Sequence, residues 1–136
     1  MNFARACSVL LLVLAACGGP LKYQLRGTQI SPGADATVVA KVDDGLGKTE
    51  LEIDAKNLAP PDRLLDDGKV FVVWARKDEK AQWSRLGALE TEDEGRSGKG
   101  RFTTSETAFD LVISAEKDAQ AASPSGKTVF EQRVSK

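Results

Sequence analysis

The sequence predicts an all-β protein, an antiparallel β-sandwich of about seven or eight strands behind a cleaved signal peptide. Three observations carry that expectation. Apolar and polar residues alternate with a period of two in one segment after another, the pattern of a strand with one face buried. Turn-forming Gly, Asp, Pro and Ser recur at roughly the 8–12 residue spacing of small sandwiches. No long stretch carries the 3.6-residue period of an amphipathic helix.

The chain of 136 residues opens on a segment of a different kind. Val9-Leu10-Leu11-Leu12-Val13-Leu14-Ala15-Ala16 is apolar throughout, Arg5 is the one charge before it, and Cys17 follows. A bilayer-spanning helix needs about 20 apolar residues, so this run is too short to span. A short cationic start, a brief apolar core and small residues at the end are the parts of a secretory signal peptide. Leu14-Ala15-Ala16-Cys17 resembles the bacterial lipobox, which implies acylation of the Cys17 thiol and cleavage just before it. Ordinary secretory cleavage after Ala16 would place Leu14 where a small residue is wanted, a poor fit. The Gly18-Gly19-Pro20 that follows breaks any continuing helix and forms a short flexible tether. Residues 1–16 are thus expected to leave, 17–20 to tether, and 21–136 to fold. Gly18 rather than aspartate after the cysteine points, by analogy with enterobacterial sorting, to the outer membrane.

Removing residues 1–16 from the 136 leaves 120, enough for one domain with its own core. Cys7 departs with the leader and Cys17 carries lipid, so no internal disulfide is available. Without Arg5 the chain holds 18 of its 19 basic residues against 20 acidic ones, a net charge of −2. Charges of both signs are interspersed. Clustered Lys and Arg, which nucleic-acid binding requires, are absent, and so is a polybasic segment for anionic lipid.

The strands follow in order. Leu21, Tyr23 and Leu25 alternate with Lys22, Gln24 and Arg26 in a first edge strand, and Ile30-Ser31-Pro32-Gly33 turns the chain. Residues 36–42 place Val38, Ala40 and Val42 on one face; Asp43-Asp44-Gly45-Leu46-Gly47 supplies the hairpin turn. Residues 49–55 alternate most clearly, with Leu51, Ile53 and Ala55 inward and Glu50, Glu52 and Asp54 outward. Ala59-Pro60-Pro61 ends that strand, and Asp66-Asp67-Gly68 turns again. Val70-Phe71-Val72-Val73-Trp74-Ala75 is apolar on both faces and reads as a central, covered strand. Lys77-Asp78-Glu79-Lys80 is a charged hairpin tip, and Trp83, Leu86 and Leu89 belong to the returning strand, with Gly87 at a bulge. Residues 91–100 offer nothing to a core and are expected to form a mobile loop before a short strand over 101–104. Phe109, Leu111 and Ile113 mark a longer strand, 117–126 a second polar loop, and Val129, Phe130 and Val134 the closing strand. The strand count is that of an immunoglobulin-like sandwich.

Several of these pieces in sequence resemble the extracytoplasmic C-terminal domain of the anti-sigma-K factor family. They are Leu58-Ala59-Pro60, Val70-Phe71-Val72-Val73-Trp74, Trp83-Ser84-Arg85-Leu86-Gly87, Phe109 to Glu116, and Pro124-Ser125-Gly126. The resemblance implies the same sandwich framework. The family's cytoplasmic sigma-binding segment and membrane-spanning helix find no counterpart in these residues, so the regulatory role does not transfer with the fold.

Chemistry-bearing residues are few. The chain has no histidine, the commonest base and metal ligand near neutral pH. An acylated Cys17 is neither a nucleophile nor a zinc ligand. No nucleophile elbow or phosphate-cradling glycine loop occurs. Ser97 and Lys99 lie close together, but in a glycine-rich setting without an orienting partner. Asp43-Asp44, Asp62 with Asp66 and Asp67, and Glu92-Asp93-Glu94 lie on expected loops, none with EF-hand spacing. Trp74 reads as core, whereas Trp83, near a hairpin end, is the better exposed aromatic.

The expected function is therefore non-enzymatic: a lipid-anchored interaction or structural module of the cell envelope. It takes no cofactor and no nucleic acid, and it works through an envelope protein partner. Cys17 is the lipidation site. Trp83, near a hairpin end, and Glu92, Asp93, Glu94 and Arg96 are the candidate contact residues, and the polar loops over 91–100 and 117–126 are the candidate contact segments. The alternative is a periplasmic ligand or calcium sensor using the acidic loops.

Overall fold

The computed structural model describes residues 19–136. The leader and Cys17 lie outside the described residues. Among the described residues nine strands, all paired antiparallel, form two sheets. The first has five strands in the order β1 (Leu21–Arg26), β2 (Asp35–Asp43), β3 (Lys48–Lys56), β7 (Ser97–Thr104) and β6 (Glu90–Glu92). The second has four, in the order β5 (Ser84–Ala88), β4 (Val70–Arg76), β8 (Phe109–Glu116) and β9 (Thr128–Val134). Together they make the all-β sandwich that the alternation predicts, with one short helix, α1 (Pro61–Leu64), in the β3–β4 crossover. Pro61 opens α1, where its fixed φ suits the first helical position and its missing N–H costs nothing.

The two sheets meet over one core. The five-stranded sheet contributes Ala36, Val38, Ala40, Leu51, Ile53 and Ala55; the four-stranded sheet contributes Phe71, Phe109, Leu111, Ile113 and Phe130, all buried. Alanines on one face thus leave room for phenylalanines from the other, which lets two sheets interdigitate at normal spacing. The outer face of β3 is exposed at Glu50, Glu52, Asp54 and Lys56, as its alternation requires. β4 is interior to its sheet, with five consecutive residues from Phe71 to Ala75 buried.

Two bulges adjust the four-stranded sheet. Val73 pairs with Gly87 and Trp74 with Arg85, so Leu86 is the extra residue, beside the glycine expected at a bulge. Ile113 pairs with Phe130 and Ser114 with Thr128, so Val129 is extra; the bulge lets Val129 and Phe130 both turn inward. Trp83 and Leu89 flank β5 rather than lying within it.

The segment over 91–100 is not a mobile loop. It contains the end of β6, a tight turn and the first half of β7, with Glu90 paired to Lys99 and Glu92 to Ser97. The inward positions of β7 are Gly98, Gly100, Phe102 and Thr104. Glycine has no side chain to bury, so the period of two is present but silent. Phe102 supplies the missing bulk: a Cβ on Gly100 would meet its ring carbons at 2.6–2.8 Å, and one on Gly87 at 2.9 Å. The ring therefore lies directly on both backbones and closes the seam between the sheets.

At the opposite seam Thr28 ties the β1–β2 connection to β9, its N–H donating to Val129 O at 2.8 Å and its hydroxyl to Thr128 O at 2.6 Å. Tyr23 on β1 holds the C-terminus, its hydroxyl and Ser135 exchanging two hydrogen bonds of 3.2 Å.

Candidate functional site

The outer face of the four-stranded sheet is where the molecule departs from a plain sandwich. Val72, Trp74 and Val112 point away from the main core, yet all are buried. Val70, Trp83 and Ala121 pack against them, so residues 117–126 fold over the sheet as a cover. A line of hydrogen bonds fixes that cover. Trp74 Nε1 donates to Ser114 Oγ at 2.9 Å, and the Ser114 hydroxyl donates to Glu116 Oε2 at 2.6 Å. The same carboxylate oxygen accepts from Ser125 N at 2.9 Å, and the Ser125 hydroxyl donates to Ala115 O at 2.8 Å. Arg85 Nη1 holds the middle of the cover through Ala121 O at 2.9 Å. Glu116 is only 3% exposed, and this set of donors is what makes its burial tolerable.

Beside the cover runs a groove of about 740 Å³, lined on one side by Ser123, Pro124 and Gly126 and on the other by a row of charges. The row is set by strand register: Arg76 on β4 pairs with Asp110 on β8, which pairs with Arg133 on β9. Both carboxylate oxygens of Asp110 are used. Oδ2 accepts from Arg76 Nε at 3.1 Å and Oδ1 from Arg133 Nη1 at 3.2 Å. Arg133 Nη1 also donates to Lys77 O at 2.8 Å, tying the row to the β4–β5 hairpin. The Arg76 guanidinium lies 4.3 Å from the centroid of the Trp83 ring, a cation–π contact. Trp83 is half-buried: one part of its indole packs on the Trp74 cluster and the rest faces the groove.

The candidate residues named from sequence do not come together. Trp83 lies in this groove. Glu92, Asp93, Glu94 and Arg96 are exposed on the β6–β7 turn, in the other sheet and at the other end of the sandwich. That turn is built with positive φ at Asp93, Glu94 and Gly95 (53°, 57° and 87°) and is pinned by Leu58 N donating to Arg96 O at 2.8 Å. Gly95 packs on Pro61, where a Cβ would stand 2.9 Å from Cδ. Arg76, Asp110 and Arg133 were not singled out by sequence reasoning. Their only sequence signal is an Asp between Phe109 and Leu111 in the apolar start of β8, and an Arg closing the apolar run of β4.

Of the acidic loops named from sequence, that of Asp43 uses a carboxylate in its own turn, as do the loops of Asp78 and Asp118. Asp43 Oδ1 accepts from Leu46 N at 3.0 Å, Asp78 Oδ1 from Lys80 N and Ala81 N, and Asp118 Oδ1 from Gln120 N. Among the described residues no group of three or more His, Cys, Asp or Glu side chains is placed to hold a metal ion. Ser97 turns its hydroxyl toward Glu92 O at 3.5 Å. No described helix is long and apolar enough to cross a membrane. The chain matches no protein-family model, no curated protein and no solved structure.

Proposed function

We propose that this chain is a lipid-anchored protein of the cell envelope, acylated at Cys17, whose sandwich is a non-enzymatic module for binding an envelope partner. The observation that carries the anchor is the junction between leader and fold. β1 starts at Leu21, only four residues after the Cys17 that closes the short apolar run ending in Leu14-Ala15-Ala16. Acyl chains added at Cys17 would therefore sit next to the domain.

The groove of Arg76, Trp83, Asp110 and Arg133 is the surface we assign to the partner. It combines a half-buried indole with fixed charges of both signs, the mixture found at the centres of protein contact surfaces. Glu79 and Glu131 also line it, so it presents two arginines against three carboxylates. A polar protein segment suits it better than a nucleic acid, which would need an excess of positive charge.

Radiolabelled palmitate incorporation and detergent-phase partitioning of the full chain test the anchor. Wild type is expected to take up label and enter the detergent phase, and Cys17→Ala to do neither. Retained partitioning by Cys17→Ala overturns the anchor. A photo-crosslinker at Glu131 in the groove, compared with one at Glu52 on the opposite sheet, tests the surface. A discrete adduct from position 131 alone is the expected result, and equal patterns at both sites reject the groove.

A further inference from the structure

The β2–β3 hairpin carries the most exposed large apolar side chain among the described residues, Leu46 at 69% exposure. Its turn is shaped by the Asp43 carboxylate, which accepts from Leu46 N at 3.0 Å. The charges around it balance: Lys136 pairs with Asp44 and Lys48 with Glu50 at 3.7 Å, while Lys41 and Asp43 add one charge of each sign. What the tip offers to its surroundings is therefore a leucine and little net charge.

The tip stands beside the tether. Leu21 pairs with Ala40, and the chain before it continues past the next stretch of β2: Gly19, Pro20 and Leu21 share a pocket with Lys41, Val42 and Lys136. Tether and hairpin thus project from the same end of the sandwich in the same direction. Their reaches are comparable. Four residue steps from Cys17 to Leu21 span at most about 14 Å when fully extended. β2 runs three residues beyond Ala40 to Asp43, about 10 Å at the usual strand rise, before the turn and the Leu46 side chain are added. A bilayer holding acyl chains at Cys17 can therefore lie no farther from Leu21 than the hairpin tip itself extends.

We propose that the β2–β3 tip is a membrane-contact site, with Leu46 entering the headgroup layer of the bilayer that holds Cys17. This rests on acylation at Cys17. An apolar side chain at such a boundary gains by leaving water, and the near-balanced charges around the tip make the contact indifferent to lipid charge. It sets the sandwich upright on its tether end. The β6–β7 turn and α1 then point away from the membrane, and the Arg76–Asp110–Arg133 row lies near its surface.

The test uses the full-length lipoprotein, purified in detergent and returned to vesicles of phosphatidylethanolamine and phosphatidylglycerol. Leu46→Cys and Asp66→Cys are each labelled with an environment-sensitive thiol dye after intact-mass measurement. Asp66 is exposed at the far end of the sandwich. The expected result is a blue-shifted emission and protection from aqueous iodide at position 46, with neither at position 66, and the same in phosphatidylcholine vesicles. Equal iodide quenching at both positions, in protein whose mass shows the acyl chains, overturns the tip contact alone. Protection that appears only with anionic lipid replaces it with charge-driven docking and also overturns it. A mass without acyl chains overturns the anchor and the tip contact together.

Discussion

The Trp74 indole N–H donates to Ser114 Oγ at 2.9 Å, on the face of the four-stranded sheet turned away from the sandwich core. In a plain two-layer sandwich that face meets water. Here residues 117–126 cover it, and the bond from Trp74 begins the chain of donors that holds the cover down. Ser114 is fully buried and serves as acceptor and donor at once.

Ser114→Ala removes both roles and leaves a buried indole N–H without a partner. An orphaned buried donor costs about 1–3 kcal/mol, so thermal unfolding is expected several degrees below wild type. Trp74→Phe loses the same bond from the other side. The double variant is therefore expected to cost less than the sum of the singles, and strict additivity in denaturant unfolding would show that the two side chains do not act as a pair.

Glu116→Ala separates the cover from the sandwich. The carboxylate accepts from Ser114 and from Ser125 N, so its loss leaves the C-terminal part of the cover held by the Ser125 hydroxyl on Ala115 O alone, while the main core stays intact. Amide hydrogen exchange over 117–126 is expected to rise well above its change in β3 or β8, because local opening is governed by local contacts. Adding Arg85→Ala, which releases Ala121 O, should speed exchange further. Uniform acceleration throughout the chain would mean that the cover is part of the global folding unit.

The parts of the fold legible in the sequence are those where one face is apolar and the other charged. Leu51-Glu52-Ile53-Asp54-Ala55 places β3 without ambiguity, and the continuous apolar run of β4 reveals a strand covered on both sides. The second half of β7 is the short strand expected over 101–104, but β6 and the first half of β7 stayed hidden because the buried positions there are Gly98 and Gly100, whose bulk is supplied by Phe102 from the same strand. The cover over 117–126 stayed hidden for a different reason. Its attachment runs through Glu116, a residue type that composition places on the surface, and only the arrival of Ser114 and Ser125 N makes the burial acceptable. The groove is less legible still, since Arg76, Asp110 and Arg133 are far apart in sequence and meet only through strand register.

Gly27 and Gly33, six residues apart in the β1–β2 connection, should respond differently to alanine. A Cβ on Gly27 would collide with the Ser31 carbonyl oxygen and stand 3.0 Å from Ala34 Cβ, inside a turn closed by Gly27 N donating to Ala34 O at 2.8 Å. At Gly33 the space for a Cβ is open. Gly27→Ala is expected to lose about 1–3 kcal/mol by overpacking, whereas Gly33→Ala is expected to stay within about 0.5 kcal/mol of wild type or slightly above it. Urea unfolding of the two variants compares them directly, and equal midpoints would contradict the steric argument.

Calcium tests the reading of the acidic loops. A site with a dissociation constant near 10 μM would stabilise the fold by about 2.7 kcal/mol at 1 mM calcium, a shift no melting curve would miss. Of those loops, the Asp43 carboxylate already accepts from its own turn, and no three acidic side chains converge among the described residues. The expected outcome is superimposable melting curves with calcium and with chelator. A rise of several degrees would restore the sensor reading.

Asp110 is the residue on which the groove depends. Its two oxygens hold Arg76 and Arg133 apart, and its side chain is only 25% exposed. Asp110→Asn leaves two arginines side by side with no anion between them, at a cost of about 1 kcal/mol for a partly exposed pair. The larger effect should be positional. Freed from Asp110, Arg76 loses the bond that keeps its guanidinium over Trp83, so Trp83 emission is expected to move to the red as the indole gains water. Arg76→Ala should give the same red shift, and Arg133→Ala a smaller one, since Arg133 touches Asp110 but not the indole. With Trp74 replaced by Phe in every variant, the emission reports Trp83 alone. An unchanged spectrum in Asp110→Asn would show that the indole is held by the Val72–Val112 cluster and not by the charged row.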